Sequence, residues 1–256
     1  MEEVEHRIVK IAALSSKGFR AIAPDLRGYG DTDAPDSVTE YTCFHIVGDL
    51  VDLLNNVAPQ KQVYVVGHDW GAVIAWFLCL FRPDKVKALL NLSVPFLPRN
   101  PGMKPVDGWR AAYGNDYNIC RFQEPGEIEA EFAEIGTETV LKEMLAYSVP
   151  DEDFNYHVTK FTKSGFTGGI NYYRNFDRNW ELTAAWDGCE VKVATKFLVG
   201  DTDLVYHMPG LKEYIHNGGF KKDVPLLQEV GVMEGVGHFI HMEKPNEIND
   251  FFRQFD

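Results

Sequence analysis

The chain has 256 residues, 45% of them apolar and 13% aromatic, which suits one large domain or a core with a smaller unit and excludes a disordered chain. Its formal net charge of −13, with no basic cluster beyond Lys221-Lys222, excludes nucleic acid as a partner. The four cysteines, Cys43, Cys79, Cys120 and Cys189, lack metal-ligand spacing, so no metal site is expected, and Cys79 reads as a reduced core thiol.

In chain order, Met1-Glu2-Glu3 does not start a basic-then-apolar signal, and no apolar run reaches membrane-spanning length. The end, Phe252-Arg253-Gln254-Phe255-Asp256, forms no targeting tripeptide. A cytoplasmic protein with no membrane partner is expected. Short apolar runs at residues 5–11, 19–23, 63–66, 88–94, 195–199 and 229–233 read as strands, with a helix over 72–81 stopped by Arg82-Pro83. Their alternation with helical stretches predicts an α/β fold with a mainly parallel sheet. Between about residues 98 and 186 the pattern becomes helical, with segments at 127–135 and 138–147, rich in Tyr and Phe and without a strand. This predicts a helical lid at 98–186 inserted between two parts of the α/β core, 1–97 and 187–256. One link resists the scheme: a parallel crossover needs roughly ten to twelve residues, and only residues 12–18 separate the first two runs. The N-terminal region therefore reads as shortened, or its first segment pairs in another way.

The most informative stretch is Gly67-His68-Asp69-Trp70-Gly71, directly after Val63-Tyr64-Val65-Val66. A β-branched run that ends in Gly-x-nucleophile-x-Gly and opens into a helix is the setting of a nucleophile elbow, whose sharp turn lifts the central side chain out of the sheet. Asp at the centre changes the chemistry. A carboxylate is ionised near neutral pH without a base and attacks sp3 carbon to give an alkyl ester. The substrate is then a small molecule with an electrophilic carbon bearing a leaving group. The plain alternative is that Asp69 caps the helix.

An ester on Asp69 must be hydrolysed, which needs a His base oriented by an acid. Gly200-Asp201-Thr202-Asp203 follows one predicted strand, and Glu234-Gly235-Val236-Gly237-His238 follows another. Both lie at the carboxyl ends of parallel strands, in the order nucleophile, acid, His. Gly-Asp-x-Asp is also ordinary turn chemistry, and His238 is one of eight histidines, so neither would carry the reading alone. His68 is better read as shaping the elbow than as the base, because neighbours on a sharp turn point apart.

His68-Asp69-Trp70-Gly71, Asp25-Leu26-Arg27-Gly28-Tyr29-Gly30, Asn171-Tyr172-Tyr173-Arg174 and Tyr214-Ile215-His216-Asn217-Gly218-Gly219-Phe220 together resemble the plant soluble epoxide hydrolases of the α/β-hydrolase superfamily, over nearly the whole chain. The resemblance implies an α/β-hydrolase fold and addition of water to an epoxide to give a vicinal diol, with no cofactor or metal. It implies Asp69 as nucleophile, His238 as base, Asp203 as its orienting acid and Tyr173 as a proton donor to the epoxide oxygen. Such a phenol suits the chemistry, since ring opening develops an alkoxide; aromatic packing in the lid explains one of Tyr172 and Tyr173 equally well. Trp70, Tyr117 and Asn118 are expected to contact substrate. Three departures stand out. Asn118 occupies the place of the family's second tyrosine, with Tyr117 beside it; no His-Gly-x-Pro oxyanion loop occurs in residues 1–30; and the lid is shortened at residues 148–153. The missing strand would sit inside the sheet beside residues 63–66. The rival readings are a haloalkane dehalogenase-like hydrolase, which shares the Asp nucleophile, and a catalytically weak α/β-hydrolase that acts as a binding protein.

Overall fold

Four strands, β1 (Val63–His68), β2 (Val86–Leu92), β3 (Ala194–Gly200) and β4 (Leu227–Met233), form a parallel sheet in the order β1-β2-β3-β4 in a computed structural model that describes residues 14–16, 18–145 and 151–252. Each strand reads as a short β-branched or Leu-rich run. β2 is buried at six of its seven positions, as parallel strands covered on both faces are. Helix α1 (Cys43–Val57) precedes β1, and α2 (Trp70–Phe81) crosses over to β2, pairing Val65 with Leu89 and His68 with Leu92 in register. The last crossover, from β3 to β4, carries two short helices at Leu211–His216 and Gly219–Asp223. Leu90, Leu92, Leu198, Val236, Ile240 and Ile248 close one core cluster, with Leu14 packed against it. Elsewhere in the same unit Trp76 of α2 packs edge-on against Phe96 and Phe220, and its indole N–H donates to Val94 O.

Among the described residues, this sheet belongs to a unit drawn from 14–21, 47–98 and 188–252; a second unit joins 22–46 to 99–187. The second unit is helical among its described residues: α3 (Pro105–Tyr113), α4 (Asn118–Arg121), α5 (Glu127–Ile135), α6 (Thr137–Leu145), α7 (Asp151–Ser164), α8 (Thr167–Arg174) and α9 (Phe176–Leu182). The loop Asp25-Leu26-Arg27-Gly28-Tyr29-Gly30 is the seat for α8. Gly28 has φ +82°, and a Cβ there would lie 3.0 Å from Gly168 Cα, so two glycines let loop and helix backbones touch. Tyr172 seals the contact, 1% exposed, with its hydroxyl donating to Arg27 O at 2.8 Å. Tyr172 is thus a packing residue of this unit.

Residues 19–23 are not a strand, which corrects the sequence reading. Phe19 N donates back to Leu14 O, closing a turn over residues 14–18; Phe19 is 41% and Ile22 46% exposed. A short apolar run looks like a strand, but a strand exists only with a ladder partner, and the described ladders of β1 run to β2 alone. Instead the Phe19 ring sits edge-on to Tyr64, and Arg20 Nη1 donates to Val57 O. The other predicted strand, residues 5–11, lies outside the described residues. The remaining strand and helix readings shift at their described ends by up to two residues, α2 beginning at Trp70 rather than at residue 72, and the end of the helix read over 138–147 lies outside the described residues.

The elbow makes one glycine obligatory. A Cβ on Gly67 would lie 2.5 Å from Asn91 Oδ1, 2.7 Å from Gly71 O and 2.8 Å from Ala72 Cα, and both Asn91 and Ala72 are fully buried. At Gly71 the same atom would meet nothing within 4 Å. Gly67→Ala is accordingly expected to cost about 1–3 kcal/mol by overpacking, while Gly71→Ala costs much less. Urea midpoints of the two variants check this, provided the m-value stays at that of the parent.

Candidate active site

Asp69 is the single residue between β1 and α2, held at φ 51° and ψ −125°. A non-glycine residue in this region costs on the order of 1–3 kcal/mol and is retained where the surroundings impose it. Asp69 stands at the N-cap position of α2 without a side-chain capping bond, which speaks against a capping role for its carboxylate. Its carboxylate accepts instead from the Trp70 backbone N–H and from His238 Nε2, at 3.3 Å to Oδ1.

His238 and Asp203 come from the two loops expected. His238 Nδ1 donates to both oxygens of Asp203 at 3.1 Å, and Asp203 is fully buried, its Oδ1 also accepting from Val205 N at 2.8 Å. Asp201, the other acid of Gly-Asp-x-Asp, ties the two loops together instead, its Oδ1 accepting from Gly235 N at 2.7 Å. The imidazole therefore bridges two carboxylates and donates from both nitrogens. Burial disfavours its charge, but the hydrogen bonds and charges of Asp203 and Asp69 outweigh this and raise its pKa to about 10. For Asp69 burial acts to raise the pKa, and the bond to His238 with the charges of His238 and His68 overrides it, so the carboxyl titrates below its ordinary range.

These two shifts set a pH window. The His238 contribution to stability is complete below its unfolded value of 6.5 and is lost as pH rises through about 10. The Asp69 contribution is present above its ordinary 3.8 and is lost as pH falls through the lowered native value. The melting temperature of the parent is therefore expected to exceed that of His238→Gln most between about pH 4 and 6.5, with the gap narrowing towards pH 10. A gap independent of pH would contradict it.

Sequence reasoning missed the groups that hold the His238 loop. The carbonyl of His238 accepts from His68 Nε2 and from Ser93 Oγ, each at 2.8 Å. Ser93 is buried at the carboxyl end of β2, with φ 67°. Asn91 Nδ2 donates to Ala72 O at 3.0 Å and so anchors the first turn after the nucleophile. Nothing in Asn91-Leu92-Ser93 marks these roles, because they depend on strand order. His68 thus reaches the His238 loop through its Nε2.

The other expected site residues lie elsewhere. Trp70 is buried at the start of α2 in the unit that holds the triad geometry, whereas Tyr173, Tyr117 and Asn118 lie in the helical unit. Tyr173, half-buried on α8, meets the edge of Phe122 with ring centroids 5.1 Å apart. Tyr117 stacks on Tyr113 at 4.6 Å, and burial raises its phenol pKa. Asn118 opens α4, its Oδ1 accepting from Ile119 N at 2.8 Å.

A sequence model of the α/β hydrolase fold matches residues 6–118. Epoxide hydrolase 1 of Siraitia grosvenorii is 56% identical over 269 residues, covering 94% of this chain and 85% of its own. This chain belongs to the epoxide hydrolase family. The solved structure of potato (Solanum tuberosum) epoxide hydrolase I superposes with a TM-score of 0.94 at 52% identity, covering 99% of this chain and 88% of the potato chain. More distant is a bifunctional epoxide hydrolase 2 of Sus scrofa, 33% identical over 94% of this chain and 47% of its own. The 269 aligned residues of the Siraitia epoxide hydrolase exceed the 256 of this chain, so that relative carries internal residues without a counterpart here. No described helix of this epoxide hydrolase is long and apolar enough to cross a membrane. Cys43 and Cys79 are free and buried, which pushes both thiols up to about 12 and leaves them inert, in accord with the reduced core thiol read at Cys79.

Proposed function

We propose that the chain adds water to an epoxide to give a vicinal diol, through an alkyl ester on Asp69. The observation that carries this is the imidazole of His238 spanning Asp69 and Asp203 beside an uncapped, strained carboxylate. In the first step an oxygen of Asp69 attacks one epoxide carbon; the C–O bond of the ring breaks, and Tyr173 gives its phenolic proton to the leaving oxygen. The Trp70 N–H stays on the carboxylate and later faces the oxyanion of ester hydrolysis. Esterification removes one of the two negative charges beside His238, so its pKa falls, the imidazolium releases its extra proton to solvent, and the neutral imidazole becomes a base for water only when an ester is waiting. Asp203 holds the imidazole in place, and Tyr117 and Asn118 contact substrate. The helical stretch 98–186 serves as a lid between core segments 1–97 and 187–256, a division supported by its purely helical content among the described residues. A cytoplasmic setting is supported by the four free cysteines.

A single turnover of a styrene-oxide-type epoxide in water enriched in oxygen-18 tests the reading. The diol should carry unlabelled oxygen, and the label should appear in the Asp69 carboxylate. Label in the diol on the first turnover would show direct attack by water. A catalytically weak, ligand-binding role is favoured by the internal residues that this chain lacks relative to the Siraitia enzyme; binding of the epoxide with no ester and no diol would select it.

A further inference from the structure

The geometry points to Gln123 and Arg174 as positioning residues for Tyr173, locking the α4 segment and the end of α8 into one piece. Arg174 follows Tyr173 directly and is 3% exposed, with all five of its N–H groups used. Nε donates to Phe122 O at 2.8 Å; Nη1 donates to Glu129 Oε1 at 2.7 Å and Asn171 Oδ1 at 3.0 Å; Nη2 donates to Glu129 Oε2 at 2.9 Å and Glu124 O at 3.2 Å. Glu129 is held below the ordinary carboxylate range because Arg174 offsets the cost of its burial. Between these anchors, Gln123 uses the two protons of one amide nitrogen to join the helices, donating to Ile119 O at 2.8 Å and to Tyr173 O at 3.2 Å. Phe122 completes the clasp by meeting the Tyr173 ring edge-on.

Residues 122–124 are thereby gripped by residues 173–174 through backbone carbonyls, a kind of contact that fixes where a side chain starts rather than what it is. A saturated, buried fork is the geometry in which Arg cannot be replaced by Lys, which brings three donors and no plane. The consequence rests on the reading of Tyr173 as proton donor. A phenol must reach the oxygen while charge develops, and a displacement of about 1 Å costs up to a hundredfold. Loosening the clasp therefore slows ring opening and leaves ester hydrolysis, which does not use Tyr173, unchanged.

The test is a cycle with Gln123→Met, Tyr173→Phe and the double variant in the full chain, reading ester formation and ester decay in single turnovers by intact mass, and amide hydrogen exchange of residues 118–123 and 170–174. Gln123→Met is expected to slow ester formation about tenfold with its decay unchanged, and to add nothing in the Tyr173→Phe background. Exchange should rise in both segments together. Equal slowing in both backgrounds, or none in either, overturns the catalytic part; unchanged exchange in either segment overturns the clasp itself, even in a preparation that forms no ester. If Tyr173→Phe alone leaves ester formation intact, the fault lies with the proton-donor reading, and exchange still decides the clasp. Arg174→Lys should exceed Gln123→Met in both readouts, since it abandons at least two donor contacts.

Discussion

Asp69→Asn is expected to lower epoxide turnover by about three powers of ten or more, because the amide cannot supply the anionic oxygen that forms the ester. The substitution is nearly isosteric, so the strained turn at φ 51° and the packing around Gly67 should persist. Loss of the charge has a second effect that is read separately. His238 keeps Asp203 but loses one of the two carboxylates that raise its pKa, so the imidazole should titrate well below the parent value of about 10. The measurements are single-turnover ester formation by intact mass, with peptide mapping to show that residue 69 is undeamidated, and the His238 titration by NMR. Parent-like turnover in a preparation free of deamidation would remove Asp69 as nucleophile. A His238 titration unmoved by the change would mean that Asp203 alone sets its charge.

Much of this site is legible in the sequence because its chemistry is local. The elbow is written in five consecutive residues, and the loops ending in Asp203 and His238 each follow a β-branched or Leu-rich run that reads as a strand. Two neighbouring acids, Asp201 and Asp203, cannot be told apart by the sequence, since both suit a turn; the difference is which one the imidazole reaches and which one binds Gly235 N. Tyr172 and Tyr173 pose the same problem in the sequence, and the bond that ties the Tyr172 hydroxyl to Arg27 O depends on a residue far away in the chain. Sequence reasoning fails at residues 19–23. A short apolar run has the composition of a strand whether or not a neighbour exists to pair with it, and pairing is a property of distant residues. The short link at residues 12–18 does carry a warning, because it is too brief for a parallel crossover into residues 19–23. The supports at Asn91, Ser93 and Gln123 are invisible for the same reason: each acts through a backbone carbonyl of a residue far away in sequence or in a neighbouring element.

His238→Gln is expected to separate the two chemical steps and trap the ester. Ring opening needs the Asp69 anion and a proton for the leaving oxygen, and neither comes from the imidazole; hydrolysis needs a base for water, which glutamine cannot be. Intact mass should therefore show protein shifted by the mass of one epoxide, with steady-state turnover down by about two to four powers of ten, the share of a general base. Ester formation itself should change less and in a defined direction. The imidazolium donates to Asp69 Oδ1 at 3.3 Å, and taking its charge away makes the carboxylate a stronger nucleophile while raising its pKa towards the ordinary range. Ester formation in the variant should thus lose rate at a higher pH than in the parent as the solution is acidified, because Asp69 is protonated sooner. That shift distinguishes a lost base from a collapsed loop: a protein whose His238 loop had come away from the His68 and Ser93 contacts would lose both steps together. Continued multiple turnover with no adduct would show that another group activates the water, and His68, whose ring lies 4.8 Å from that of His238, is an imidazole on which to repeat the substitution.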